Sequence, residues 1–370
     1  MSSRACEDKA PRTVAETSSS KKLVKSLFLA LLAGLLINVF IGLLLDFGQL
    51  ADAFKETSLL TVAAPFLIVL VIFVIDSYRY RLVFRKFDIH ISFRDAYYNN
   101  VLGYFFSNVT PGSVGGQPFQ VVHFSKLGLD PAISSNVVFS RLMESNIVQL
   151  FIVVIFFHKG IGMMSSLGKG AFLLAGGMVV TIVMTALLLL SFLNPHLLGT
   201  LALRLDKSWL GRLIAKLTRD ACWAEKMSVW SQELGAGFKV LWQHNMGTMI
   251  IDTLIFAVDQ ILWAAALYIP LTVLTGSAVP VQEFLLSYVL CWLVSLFIPT
   301  PGAAGSVEAS YLLVLSALTG KPAATMSAIL LWRFGTYYLH LFLGALVYFL
   351  TPVKRRVYVA GKDGLLRRVR

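Results

Sequence analysis

Apolar and polar positions in this chain fall into long blocks, without the period of two expected of strands. Residues 1–22 are rich in Ser, Thr, Lys and Glu and lack periodicity, which predicts a disordered tail. Lys21, Lys22 and Lys25 precede an apolar run over 27–45, long enough to cross a bilayer at about 1.5 Å per residue. No small-residue cleavage site follows that run, so it reads as a retained anchor. Residues 46–57 turn the chain, and 58–75 return without a charge. Arg79, Arg81, Arg85, Lys86 and Arg94 then read as a cytoplasmic loop. Two shorter apolar stretches, 97–109 and 119–127, flank a run of helix breakers, and after a turn at 128–131 a full span covers 132–157. Residues 158–169 are expected outside, with 170–193 returning.

Residues 195–246 interleave Arg and Lys with Leu and Trp, the composition of amphipathic helices on the inner leaflet. Residues 247–269 form the next span and 270–280 an external loop. Arms at 281–298 and 307–318 surround a second run of breakers, and Lys321-Pro322 turns the chain into a span over 323–350. Basic residues from Lys354 to Arg370 place the C-terminus inside.

Composition agrees with this block structure. Hydrophobic residues make up 57% of the 370, charged residues only 14%, and the mean hydropathy is +0.74, too apolar for a soluble chain of this length. The protein is therefore read as an integral membrane protein, with a membrane domain over 23–350 between the tail 1–22 and a basic tail 351–370. The net charge of +12 crowds the segments flanking the spans, where it sets orientation and needs no nucleic acid. Cys6, Cys222 and Cys291 have no paired spacing, which supports neither a disulfide framework nor a zinc site.

The two breaker runs carry the candidate chemistry. Thr110 to Gln120 reads Thr-Pro-Gly-Ser-Val-Gly-Gly-Gln-Pro-Phe-Gln, and Thr300 to Gly305 reads Thr-Pro-Gly-Ala-Ala-Gly. Proline lacks an amide donor and glycine is conformationally loose, so a helix entering either run must stop and restart. Broken backbone at membrane depth survives only against protein or a wet cavity, and a matched pair of breaks marks a transporter's binding site. The alternative is an extramembrane turn between two short spans.

Each break is followed by a short helix, a turn with proline and a span containing an arginine, so 58–157 and 247–350 read as two repeats. The charge rule sends the first hairpin in from the cytoplasm and the second from outside. The expected fold is an all-α polytopic membrane protein with an inverted repeat, two re-entrant helical hairpins, about six full spans and about four half-helices.

Substrate-binding candidates are Thr110, Pro111, Gly112, Gly115, Gly116 and Gln117 in the first break, and Thr300, Pro301, Gly302 and Gly305 in the second. The arms restarting there aim unpaired amides at the hairpin tips, and such helix starts attract anions, phosphate included. Thr110, Ser113, Thr300 and Ser306 are expected to add hydroxyl donors.

Arg141, Glu144, Asp252, Asp259, Glu308 and Arg333 fall inside predicted membrane segments, where a charge costs at least about 2.5 kcal/mol and needs a partner or a cavity. Arg333, about 16 Å along its helix from Pro322, is the leading candidate for the substrate's charge. Arg141 and Glu144 share a helix face, either as a neutralised structural pair or as substrate contacts. Asp252 and Asp259 are candidates for ion coupling, although Asp252 lies near a helix end where it is expected to be solvated. Glu308 suits either a helix-start cap or the site. His123 and His340 read as ordinary interior residues.

Ser107-Asn108-Val109-Thr110-Pro111-Gly112 with Gly115-Gly116-Gln117-Pro118, and Ile298-Pro299-Thr300-Pro301-Gly302 with Gly305 and Glu308, make the chain resemble the flippase-like family also called the lysylphosphatidylglycerol synthase transmembrane region. The resemblance covers 24–350. It implies a polytopic fold with re-entrant helices and a role in moving lipids between leaflets, in some members aminoacylated phosphatidylglycerol. The soluble aminoacyl-transfer domain of the fused synthases is expected to be absent, so no lysyl transfer is assigned.

The resulting expectation is a translocator of an anionic or phosphate-bearing lipid in the cell membrane, with both termini cytoplasmic and membrane lipids as its partners. A rival is a membrane-embedded enzyme acting on a phospholipid or polyprenyl phosphate, with Glu308, Glu144 or Asp259 as general acid or base. Against it, no metal-ligand cluster or nucleotide-binding glycine pattern is found, so neither catalysis nor a cofactor is expected. A third reading is an accessory protein for a separately encoded synthase or glycosyltransferase.

Overall fold

Local capping signals explain where the helices begin. In the computed structural model, residues 57–164, 167–168, 170–209, 211–212, 215, 222–298, 300–351, 358–360 and 366–368 are described. The expected tail 1–22 and first span 27–45 lie outside them, as does most of the basic C-terminal segment. Ser58 caps α1 (Leu59–Phe84) by accepting from the Thr61 amide at 3.2 Å. Ser92 caps α2 (Phe93–Val109) through the Asp95 amide at 3.1 Å. Asp130 caps α4 (Pro131–Ile155), accepting from Ala132 at 2.8 Å and Ile133 at 3.0 Å with Pro131 in the first turn. A side chain that accepts an orphan helix-start amide stabilises the start by about 1 kcal/mol.

Between α2 and α4 lies the short α3 (Gly116–Lys126). Then follow α5 (Phe157–Met164), α6 (Gly170–Leu193), α7 (Pro195–Asp206) and α8 (Trp223–Lys239). The second half contains α9 (Met246–Thr275), α10 (Val281–Ser295), α11 (Ser306–Thr319) and α12 (Pro322–Arg333). A π-helical segment, Phe334–Tyr338, joins α12 to α13 (Leu339–Leu350). Among the described residues, five stretches are long and apolar enough to cross a membrane: Leu59–Phe87, Pro131–Ile155, Gly170–Leu187, Met246–Thr275 and Pro322–Leu350. The protein is a polytopic membrane protein whose membrane body is all-helical, with α10 and α11 as shorter apolar helices. Near the C-terminus Tyr358–Ala360 pairs antiparallel with Leu366–Arg368.

Three segment boundaries differ from the sequence reading. Helix α1 does not stop at 75 before a loop containing Arg79, but runs on to Phe84 with Asp76, Arg79 and Tyr80 buried. Helix α9 continues through Pro270 to Thr275, because Leu267 and Leu271 on either side are fully buried in the largest core cluster; the loop shrinks to 276–280. Part of the expected loop 158–169 is helical in α5, where Gly160 and Met163 are buried. Helix α8 also packs on protein: Trp230 Nε1 donates to Ser135 Oγ of α4 at 3.3 Å, and Asn136 Nδ2 of α4 donates to the Glu233 carbonyl at 3.2 Å. Cys291 is a buried free thiol.

The packing order places the breaks together. Helices α2 and α3 pack as one hairpin and α10 and α11 as another, α1 lies against α2 and α9, and α12 contacts both α9 and α11. Gly112 and Ser113 have φ of 60° and 58°, and Gly302 and Ala303 have 58° and 52°, so both breaks bend through the same left-handed pair. Pro111 and Pro301 form an antiparallel bridge.

Candidate functional site

Proline and glycine free the backbone polar groups of each break, and each break satisfies part of the other. The Gly112 amide donates to the Thr300 carbonyl at 3.2 Å, and the Gly302 amide donates to the Thr110 carbonyl at 3.4 Å. The flanking hydroxyls are spent locally. Thr110 Oγ1 donates to the Phe106 carbonyl at 2.7 Å and accepts from the Gly115 amide at 2.9 Å. Ser306 Oγ donates to the Ser295 carbonyl at 2.9 Å. Expected as ligand donors, Thr110 and Ser306 instead shape the turns, while Thr300 Oγ1 is buried with no hydrogen-bond partner among the described residues.

The second tip is closed by an ion pair. Glu308 accepts from the Gly305 amide at 2.7 Å and from Arg333 Nε at 2.9 Å, and Arg333 Nη2 reaches the Gly302 carbonyl at 3.4 Å. The Arg333 guanidinium also lies 4.5 Å from the Tyr337 ring centroid. Glu308 thus serves as a helix-start cap and a counter-charge, and the leading sequence candidate, Arg333, holds the break with two of its nitrogens.

The first hairpin faces a different cluster, centred on Arg79 of α1. Its Nε donates to Asp252 Oδ1 at 2.7 Å and its Nη2 to Glu144 Oε2 at 2.6 Å. Its Nη1 donates to Asp76 Oδ1 at 3.0 Å and Asp259 Oδ2 at 3.4 Å. Asp76 also receives Arg141 Nη2 and the Tyr104 hydroxyl, the latter at 3.0 Å. Arg141 rests over the Tyr80 ring at 3.9 Å. Arg79, Glu144, Asp252 and Asp259 are all at most 1% exposed. Removing such charges from water costs several kcal/mol each, so the cluster depends on charge-assisted bonds from one planar five-donor fork.

The expected solvation of Asp252 is therefore corrected: a helix end does not ensure water when another helix packs over it. Arg141 and Glu144 do share a face, but each pairs with α1 and not with the other. Arg79 and Asp76 were missed because a cluster of basic residues after an apolar run reads as a loop. Their spacing of three, followed by buried Tyr80, Val83 and Phe84, was the available signal for a helix that continues inward.

A cavity of about 150 Å³ lies between α1, α4 and the first hairpin. Arg141, Asn100, Gln117 and Gln120 supply polar groups to its wall, and Gly116 opens the start of α3 to it. Arg333 is not among its lining residues. The cavity and the Arg333–Glu308 pair are two separate polar centres at the two sides of the joined breaks. His123 and His340 are both buried; His123 Nδ1 lies 3.0 Å from Asn99 Nδ2, and the His340 ring stacks on Tyr104.

Residues 28–344 match the family model described as the lysylphosphatidylglycerol synthase TM region, which takes in both breaks, the cavity and the Arg79 cluster. The chain belongs to this family. It is also 25% identical over 304 residues to a UPF0104 membrane protein of Archaeoglobus fulgidus, covering 79% of this chain and 87% of the relative. The lysylphosphatidylglycerol synthase TM-region match thus spans nearly the whole helical body.

Proposed function

We propose that this lysylphosphatidylglycerol synthase TM-region protein moves an anionic, phosphate-bearing lipid between leaflets, acting as a transporter and not as an enzyme. The observation that carries the proposal is the polar cavity beside the first break. Broken backbone at membrane depth is tolerated only where it is buried in protein or lines a wet cavity, and the first break borders such a cavity. Arg141 is the cation best placed for a headgroup: it lines the cavity and is 11% exposed, against none for the Arg79 side chain. Gln117, Gln120 and Asn100 add neutral donors and acceptors, and the start of α3 favours an anion. Acyl chains remain in lipid alongside the half-helices.

In this reading α2–α3 and α10–α11 are re-entrant hairpins of an inverted repeat in the cell membrane, with the basic flanks and both termini cytoplasmic. The alike backbone of the two breaks and their reciprocal bonds support the duplication. Rocking of one repeat against the other about that junction would expose the cavity to each leaflet in turn. The test is movement of fluorescent phosphatidylglycerol in proteoliposomes of phosphatidylcholine and phosphatidylglycerol. Wild type should accelerate it, and Arg141→Ala should reduce the rate at least about tenfold, a loss of about 1.4 kcal/mol of transition-state stabilisation. Equal rates in protein-free vesicles would end the proposal.

A further inference from the structure

The Arg79 cluster does not balance if all its groups are ionised. Asp76, Glu144, Asp252 and Asp259 bring four negative charges, whereas Arg79 and Arg141 bring two positive ones. The neighbouring polar groups are neutral: Tyr80 beneath Arg141, Tyr104 donating to Asp76, and His340 stacked on Tyr104. On the cavity side the first hairpin contributes only amides and hydroxyls, and Phe256 covers Arg79 from α9.

The carboxyl groups fall in two pairs. Glu144 Oε1, Asp252 Oδ2 and Asp259 Oδ1 are buried and receive no donor from the described residues. Yet Glu144 and Asp252 crowd onto neighbouring nitrogens of the one guanidinium, Nη2 and Nε, at 2.6 Å and 2.7 Å, and Asp76 and Asp259 share its Nη1 at 3.0 Å and 3.4 Å. Two carboxylates held this close in a buried site repel and neither is a donor, so each pair is favourable when one member carries a proton. One proton per pair leaves two negative charges against two arginines, and the cluster is neutral.

We propose that the Arg79 cluster is a proton-binding site that holds two protons, one in the Glu144–Asp252 pair and one in the Asp76–Asp259 pair, the latter on Asp259. The placement follows from the donors. Asp76 receives Arg79, Arg141 and Tyr104, whereas Asp259 receives only the longest Arg79 contact, 3.4 Å. The more weakly held carboxylate is the one that gains most from a proton. A metal cation fits poorly, since the guanidinium already occupies the space the carboxylates converge on, and no metal-binding group of His, Cys, Asp and Glu is found among the described residues. A functional consequence rests on the headgroup reading: an anion that draws Arg141 away from Asp76 removes one counter-charge, and Asp76 compensates by taking a proton from water.

Proton storage itself is tested without any lipid. Infrared difference spectra of the purified full-length protein, with aspartate labelled by ¹³C at the side-chain carboxyl, should show protonated-carboxyl absorption at neutral pH. At least the part held by Asp259 should move with the label. Asp259→Asn should weaken the aspartate band and leave the absorption of the Glu144–Asp252 pair and the melting temperature close to wild type, because the amide mimics the neutral acid. Absence of protonated-carboxyl absorption in wild type would overturn the proposal even if Asp259→Asn failed to fold. So would an unchanged aspartate band in that variant, or loss of the bands with a rise in melting temperature when sodium replaces choline.

Discussion

The Gly112 amide and the Thr300 carbonyl, from opposite halves of the chain, meet at 3.2 Å and tie the two helix breaks to each other. The return bond from Gly302 to Thr110 makes the junction reciprocal. Both glycines sit at φ near 60°, where an L side chain costs about 1–2 kcal/mol. An added Cβ at Gly302 would collide with the Tyr337 ring, whereas at Gly112 it would meet the Leu296 carbonyl at 3.1 Å. Gly302→Ala should therefore lower thermal stability in detergent by more than Gly112→Ala. Because the two residues serve one junction, the double variant should lose less than the sum of the single losses.

Arg79 holds four carboxylates with three nitrogens, and no other side chain reproduces that fork. Arg79→Ala is expected to cost about 3–5 kcal/mol, the penalty of leaving buried charge unpaired. Arg79→Lys should recover little of this. Two residues on, the Arg81 side chain donates to the Ile91 carbonyl at 3.3 Å, and Arg81→Ala should cost about 1 kcal/mol. Comparing melting temperatures of the three variants distinguishes a structural centre from a generic basic flank.

Arg333 and Glu308 lie 2.9 Å apart and nearly fully buried. If their role is to hold the second tip, replacing both by apolar residues of similar size, Arg333→Met with Glu308→Leu, should be less harmful than either change alone, as for other buried pairs. Stability of the two single variants and the double variant checks this by a thermodynamic cycle. A double variant as unstable as the sum of its parts would show that the pair does not act as a unit.

Ser145 faces the cavity from α4, and its hydroxyl is already bonded to the Leu142 carbonyl at 2.9 Å. Ser145→Phe fills the space without removing a charge. Phosphatidylglycerol movement in vesicles should fall at least about tenfold, equivalent to about 1.4 kcal/mol, while overpacking lowers stability by about 1–3 kcal/mol. Undiminished movement in a folded Ser145→Phe protein would show that lipid passes elsewhere.

The sequence by itself determined that the chain lives in a membrane, where most of its spans begin, and that two proline-glycine breaks interrupt it at matched places. Those features depend on composition and on local backbone preference, and neighbouring residues carry both. It also marked Arg141, Glu144, Asp252, Asp259, Glu308 and Arg333 as costly charges that need partners. Only the tertiary structure decided which partners they have. Arg79 meets Asp252 across 173 residues and Asp259 across 180, a pairing that no periodicity encodes. The same helix packing turned Arg79 from an apparent loop residue into the centre of a buried cluster. It also directed Arg333 to the second tip and left Arg141 beside the cavity, because the orientation of a charge in a bilayer is set by the helices packed against it.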